Sequence, residues 1–212
     1  DSLDEFDETL QILLASPVNA EIDSSVSLVT IKDDDESPSI SINDASILES
    51  AGDSGQATIA LSAQSAKPIR VSYSTQIGSA TEEDFYQDSG SILFAPGEVS
   101  KSIALYIREN DYLYESDETF SVVLSNAENA SIDDNTATIT IINTDPLPGF
   151  EIDILDEKYV NENDEAFNYR VYLDYVRSEN PIEIDYRITP STAENGTDYN
   201  AASSGTITIP AR

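Results

Sequence analysis

Acidic side chains fall in short bursts along this chain, and bursts of that kind can hold a hard metal ion. Asp4, Glu5, Asp7 and Glu8 form one, Asp33 to Glu36 a second, and Glu82, Glu83 and Asp84 a third. Glu115, Asp117 and Glu118 follow, and then Glu162, Asp164 and Glu165. Calcium takes about six to eight oxygen ligands in flexible geometry, and carboxylates concentrated in loops suit it. Sulfur and imidazole donors are absent, because the 212 residues contain no Cys, no Met and no His. That composition also removes disulfides, Cys-based zinc and iron–sulfur sites, Ser–His–Asp and Cys–His catalysis, and the histidine pH switch.

The total charge needs a physical account. With 41 acids against 10 bases, the formal charge is −31, and self-repulsion opposes a compact state. It also repels phosphate, so nucleic acid and anionic membranes are poor partners, and no nucleic-acid partner is expected. No apolar run reaches the length of a membrane span, so direct membrane insertion is not expected, and no secretory leader pattern starts at Asp1. The acids could be spread over a solvated surface, gathered in a disordered tail, or clustered where a cation binds. At 39% hydrophobic residues with apolar alternation nearly throughout, a tail is the poorest of the three. The bursts favour a cation; the bland alternative is a solvated surface that lowers aggregation.

The elements that must carry these acids read as strands. Period-2 alternation with β-branched and aromatic residues runs through 26–31, 69–73, 103–107, 137–141, 167–173 and 206–209. Short strands between turn clusters predict an all-β fold of antiparallel Greek-key β-sandwiches, immunoglobulin-like in type. Tyr73, Tyr106, Tyr169 and Tyr186 fall on the alternation and are read as sheet or core residues rather than a stacking platform. Asn129–Ala130–Ser131 and Asn195–Gly196–Thr197 match the N-glycosylation acceptor, a triplet that also arises by chance.

Self-comparison divides the chain. Residues 1–35 align without a gap to 111–145 at a constant offset of 110: Leu3, Glu5, Asp7, Glu8, Thr9, Asn19 and Asp35 recur as Leu113, Glu115, Asp117, Glu118, Thr119, Asn129 and Asp145. A second match links 68–94 to 181–209, with Pro68, Tyr73, Asp84 and Gly90 recurring as Pro181, Tyr186, Asp198 and Gly205. One complete module therefore spans 37–145; 1–36 is the back half of another, 146–149 a Pro-rich linker, and 150–212 the front half of a further one. Half a sandwich cannot cover its inner face. A window on a longer tandem array explains the arrangement. Pairing of the two halves is the rival, but neither half holds an equivalent of the strand at 102–108.

The complete module resembles a Calx-beta domain, the β-sandwich family of sodium–calcium exchangers, integrin β4 and large surface proteins. The resemblance is carried by Ile47–Leu48–Glu49–Ser50, by Pro68–Ile69–Arg70–Val71–Ser72–Tyr73 and by Ala80–Thr81–Glu82–Glu83–Asp84–Phe85. Asn110–Asp111–Tyr112–Leu113–Tyr114–Glu115–Ser116–Asp117–Glu118–Thr119–Phe120 is its strongest stretch, and Ala137 to Asp145 closes it. It implies Ca²⁺ at one end of the sandwich, held by Glu49, Asp84, Asp111, Glu115, Glu118 and Asp145, with the Leu113 carbonyl as a backbone ligand. Asn110 stands where the family often has Asp, and Asn143–Thr144–Asp145 where it often has an acidic triplet. Each swap removes negative charge, which weakens the site or lowers the number of ions it holds. In the first partial module the corresponding set is Asp1, Leu3, Glu5, Glu8, Asp33, Asp34 and Asp35. The last offers Glu162 and Asp198, and its remaining ligands would lie beyond Arg212.

Elementary electrostatics supports the same site. Several carboxylates at one pole cannot all ionise cheaply without a counter-cation. An ion there would tie loops from distant parts of the chain and stiffen the acidic junctions. The expectation is a non-enzymatic, calcium-binding structural repeat of an extracellular or cell-surface protein: a spacer, adhesin, filament or matrix component. Its partners would be neighbouring repeats, copies of itself, or a surface or matrix molecule. Two other classes stay open, a calcium-sensing regulatory module of a membrane transporter and a glycan- or receptor-binding adhesin module using exposed aromatics such as Tyr112 and Tyr114. Paired carboxylates can hydrolyse glycosides, but nothing in the sequence suggests a sugar cleft.

Overall fold

The computed structural model describes residues 2–50, 54–108, 113–154, 168–173 and 177–211. Among these, regular structure is strand throughout, and no helix is long and apolar enough to cross a membrane. The strands are β1 (Glu8–Leu13), β2 (Val26–Ile31), β3 (Ser39–Ile42), β4 (Ala45–Leu48), β5 (Ser54–Leu61), β6 (Ile69–Ile77), β7 (Ser89–Phe94) and β8 (Ser100–Tyr106). Then come β9 (Leu113–Tyr114), β10 (Glu118–Glu128), β11 (Ser131–Ile132), β12 (Thr136–Ile142), β13 (Phe150–Ile154), β14 (Tyr169–Leu173), β15 (Arg177–Ser178), β16 (Ile182–Arg187) and β17 (Ser204–Ile209). They fall into two compact units, one holding β1 to β8 and β10 to β12, the other β9 and β13 to β17.

The first unit contains a β-sandwich. One sheet has the order β4-β12-β10-β6-β7 and the other β11-β3-β5-β8, so the chain crosses repeatedly from sheet to sheet. The alternation read from the sequence is what fills the space between them. Phe120, Val122 and Leu124 of β10 and Ala137, Ile139 and Ile141 of β12 join Ile40, Ile42, Ile59 and Leu61 of the opposite sheet in one buried cluster. Each fully buried side chain of this size stabilises the fold by about 1.5–3 kcal/mol. The β12–β10, β10–β6, β6–β7, β3–β5 and β5–β8 pairs are antiparallel, and the short β11–β3 pair is parallel.

The hairpin β1–β2 repeats part of this sandwich residue for residue. Glu8 pairs with Ile31 as Glu118 pairs with Ile141, and the match runs to Leu13–Val26 and Val123–Thr136, always at the offset of 110. Left-handed backbone recurs at the same offset, at Ser16 (φ 55°) and Asn126 (φ 51°), and at Asn19 (φ 57°) and Asn129 (φ 61°). What differs is cover. Phe120 and Val122 are buried, whereas Leu10 and Ile12 are 44% and 50% exposed.

In the second unit β13 pairs with β14, and β16 with β17, all antiparallel. The β16–β17 register repeats that of β6–β7, with Tyr186 opposite Gly205 and Tyr73 opposite Gly90. All four tyrosines read as sheet residues lie on strands, although Tyr106 and Tyr169 are exposed. Both sequon asparagines hold loops: Asn129 donates its amide to the Pro68 carbonyl at 2.8 Å, and Asn195 donates to that of Ala201 at 2.8 Å.

Candidate metal centre

Asp84 sits in a tight turn between β6 and β7. The Thr81 amide and hydroxyl both donate to Asp84 Oδ2, at 2.6 and 2.9 Å, and the Asp84 carbonyl accepts from the Arg108 amide at 2.9 Å. The next residue anchors the turn. Phe85 is buried and stacks on Phe120 of β10, with ring centroids 4.0 Å apart and planes 9° apart. Upstream, the Thr119 carbonyl accepts from the Ala80 amide at 2.9 Å, and the Thr119 amide donates to Ser79 Oγ at 2.8 Å. A Cβ at Gly78 would meet the Thr119 carbonyl, so only glycine permits this approach. The turn is thus pinned against the first residues of β10, where Glu118 begins the strand.

Glu115 lies between β9 and β10. The side-chain amide of Asn143 donates to its carbonyl at 2.8 Å, and the Asn143 amide donates to Asp117 Oδ1 at 3.1 Å. The Asp145 amide in turn donates to Asn143 Oδ1 at 2.9 Å. The sequence marks Asn143 only as a lost charge. Its bond to the Glu115 carbonyl is one that a carboxylate, having no donor, could not make.

These supports bring Asp84, Glu115 and Glu118 together, each half-buried, with one carboxylate oxygen from each lying within 4.8 Å of the others. The donor set fits a hard cation, because all three donors are oxygens. Calcium–oxygen bonds of about 2.4 Å place opposite ligands about 4.8 Å apart, so a single ion can reach all three. The three acids come from both halves of the module, Asp84 from the front and Glu115 and Glu118 from the back.

The other expected ligands are placed as follows. Glu49 follows β4, its amide donating to the Ile142 carbonyl at 2.9 Å; it and Asp145 lie outside the three-acid group. Leu113 is half-buried in β9, paired with Arg177. Asn110, Asp111, Asp1 and Glu162 lie outside the described residues. In the flanks, Glu5, Glu8, Asp34, Asp35 and Asp198 form no further group of three acids among the described residues, and Leu3 is half-buried ahead of β1. Residues 1–36 hold the counterparts of Glu115 and Glu118 but not of Asp84, and 150–212 the reverse. Asp198 reproduces part of the Asp84 turn, accepting from the Glu194 amide at 2.7 Å.

Asp33 is engaged elsewhere. Lys67 Nζ lies 3.1 Å from Asp33 Oδ2 and 2.7 Å from Asp4 Oδ1. Asp4 is buried and also accepts from Ser37 Oγ at 3.2 Å and Ser65 Oγ at 2.5 Å. Burial pushes the Asp4 carboxyl up, but the bonds from Lys67, Ser65 and Ser37 outweigh it and hold the group below its ordinary range. The bond to Asp4, opposed by partial burial and reinforced by Asp33, raises the Lys67 ammonium. In the sequence Asp4 looks like any other loop acid, and the one sign of its burial is a basic residue at 67 in a chain with only 10 bases.

The Calx-beta domain family matches residues 33–145 and 150–208. The chain is similar to the solved apo-form CBD1 domain of Calx, with 22% identity over 52% of this chain and 100% of that one, TM-score 0.47. It is also similar to calcium binding domain CBD12 of CALX1.1, with 21% identity over 81% of this chain and 70% of that one, TM-score 0.47. A third is the Calx CBD2 domain, with 20% identity over 48% of this chain and 84% of that one, TM-score 0.42. No curated protein matches the chain.

Proposed function

The chain belongs to the Calx-beta domain family, and from that premise we propose that it is a non-enzymatic, calcium-binding structural repeat. The observation that carries this reading is the convergence of Asp84, Glu115 and Glu118 within 4.8 Å. Asp84, Glu115 and Glu118 hold the ion, and bound calcium supplies the positive charge that cancels their repulsion. The turn at 81–86 and the start of β10 position the acids, with the Phe85–Phe120 stack setting their separation. The Asn143 bridge ties Glu115 and Asp117 to the linker before Pro146, so an ion at the acids also stiffens the exit from the module.

The modules are 37–145, preceded by the back half of one and followed by the front half of another. In an extracellular or cell-surface protein such repeats act as spacers in an adhesin, filament or matrix, with neighbouring repeats as their first partners. The deciding experiment is thermal unfolding of the chain in calcium and in chelator, with calcium titration by calorimetry. A raised midpoint and saturable heat support the reading. An unchanged midpoint with no heat overturns it.

A further inference from the structure

One contact between successive segments occurs twice. In the first unit Asp4 forms a parallel bridge with Ser65, and its carbonyl accepts from the Ala66 amide at 2.9 Å. In the second unit Tyr114 pairs in parallel with Ser178, and its carbonyl accepts from the Glu179 amide at 3.2 Å. Tyr114 is the counterpart of Asp4 at the offset of 110, and Ser178 that of Ser65 on the alignment of Pro68 with Pro181. The receiving loop is built alike each time, since Ser65 Oγ accepts from the Lys67 amide at 3.0 Å and Ser178 Oγ from the Asn180 amide at 3.2 Å.

The side chains differ. At the first contact a buried Asp4 meets Lys67, which also reaches Asp33 beyond the β1–β2 hairpin. At the second, the corresponding residues are Tyr114, Asn180 and Asn143, none of them charged. A buried carboxylate is tolerated only when it is paired and hydrogen-bonded, and Lys67 supplies both conditions across two segments.

We propose that residues 65–67 and 178–180 are the surface on which each module receives the one before it, and that Lys67 locks the first of these contacts with its own charge. Lys67 there serves as a tethered cation between Asp4 and Asp33, so the contact stays closed without a divalent ion. The second contact has no such lock. The inference rests on the modular reading above but not on calcium binding.

The test uses the full chain, whose lack of Cys allows specific spin labels through Ser24→Cys and Ser102→Cys, both at exposed positions. Pulsed dipolar spectroscopy reads the distance between residues 1–36 and the complete module, in chelator and in calcium. One narrow distribution, the same in both, is expected. Lys67→Met should lose it in chelator, and Lys67→Arg should keep it. If Lys67→Met unfolds the chain, as circular dichroism would report, Lys67→Met with Asp4→Asn is read in its place and should lose it too. A broad distribution for the parent in chelator, or a narrow one for either Met variant, overturns the proposal. Failure of calcium binding is a separate result, read by calorimetry on the parent.

Discussion

Tyr73 stands directly opposite Gly90 in the β6–β7 ladder, and its ring lies where a side chain at 90 would go, with a Cβ there only 3.0 Å from the ring edge. The Tyr73 hydroxyl continues to Asp88, donating to Oδ2 at 2.8 Å. Tyr186 and Gly205 repeat the arrangement, with a Cβ at 205 falling 2.8 Å from the ring. An aromatic ring laid over a strand glycine fixes register, because a slip by one residue would drive the ring into a side chain.

Gly90→Val should therefore destabilise the complete module by about 1–3 kcal/mol through overpacking. Gly90→Val with Tyr73→Ala should recover part of that loss. A chemical unfolding series on the parent and both variants measures it; full additivity of the two substitutions would argue against the ring-over-glycine contact.

Such pairs explain how much of the fold the sequence discloses. Tyr–Gly and Glu–Ile partners recur in order, so the repeat and its strands can be read from spacing alone. Period-2 alternation places Phe120 and Val122 in a core without further information. Long-range side-chain choices are another matter. Asp4 sits in an acidic burst like any other, and its burial depends on Lys67, 63 positions away in the chain. Asn143 looks like a missing charge until its amide is seen on the Glu115 carbonyl. Asp84 and Glu118 are legible as candidates from their acidic bursts and from the family resemblance, but the Phe85–Phe120 stack beside them joins residues 35 positions apart, which no local pattern announces.

Removing one acid from the centre should have opposite effects with and without calcium. Glu118→Gln relieves repulsion among Asp84, Glu115 and Glu118, so the variant should be at least as stable as the parent in chelator. In calcium it should lose most of the ion's stabilisation, which for the parent amounts to about 2.7 kcal/mol at a hundredfold excess over Kd. Paired melts in the two conditions read the crossover; equal calcium gains for parent and variant would show that Glu118 does not ligate.

Phe120→Ala should couple packing to the site. Truncating a buried Phe costs about 3–5 kcal/mol. It also removes the surface on which Phe85 stacks, freeing the turn that carries Asp84. Calcium affinity should fall along with stability, whereas Ile59→Val, in the same core on β5, should cost only about 0.5–1.5 kcal/mol and leave affinity unchanged. Calorimetric titration of both variants separates a positioning effect from general loosening.

Asn143→Asp should make the module more dependent on calcium. The substitution removes the donor to the Glu115 carbonyl, a bond contributing about 1 kcal/mol, and adds a negative charge near the centre. Stability in chelator should drop. In calcium the added carboxylate offers another oxygen, so the ion-dependent rise in midpoint should exceed that of the parent. A rise no larger than the parent's would mean that position 143 acts only through its bridge.

The Asp4–Lys67 clamp has a pH window set from both ends. Asp4 is held below its ordinary value of 3.8, so it contributes stability that is full above that value and lost as pH falls through its folded one. Lys67 is raised above its ordinary 10.5, so its contribution is full below that value and lost as pH rises through its folded one. Asp4→Asn should flatten the acid side of the stability profile below 3.8, and Lys67→Met should remove the alkaline decline above 10.5. At neutral pH Lys67→Met strands a buried carboxylate, and it should lower the melting point more than Arg70→Met, which breaks two exposed contacts, with Glu128 at 3.9 Å and with Ser91 Oγ at 3.3 Å. Melts across the pH range, at fixed ionic strength, give the three comparisons. Equal losses for the two Met variants at neutral pH would show that the paired charge at Asp4 contributes no more than a surface contact.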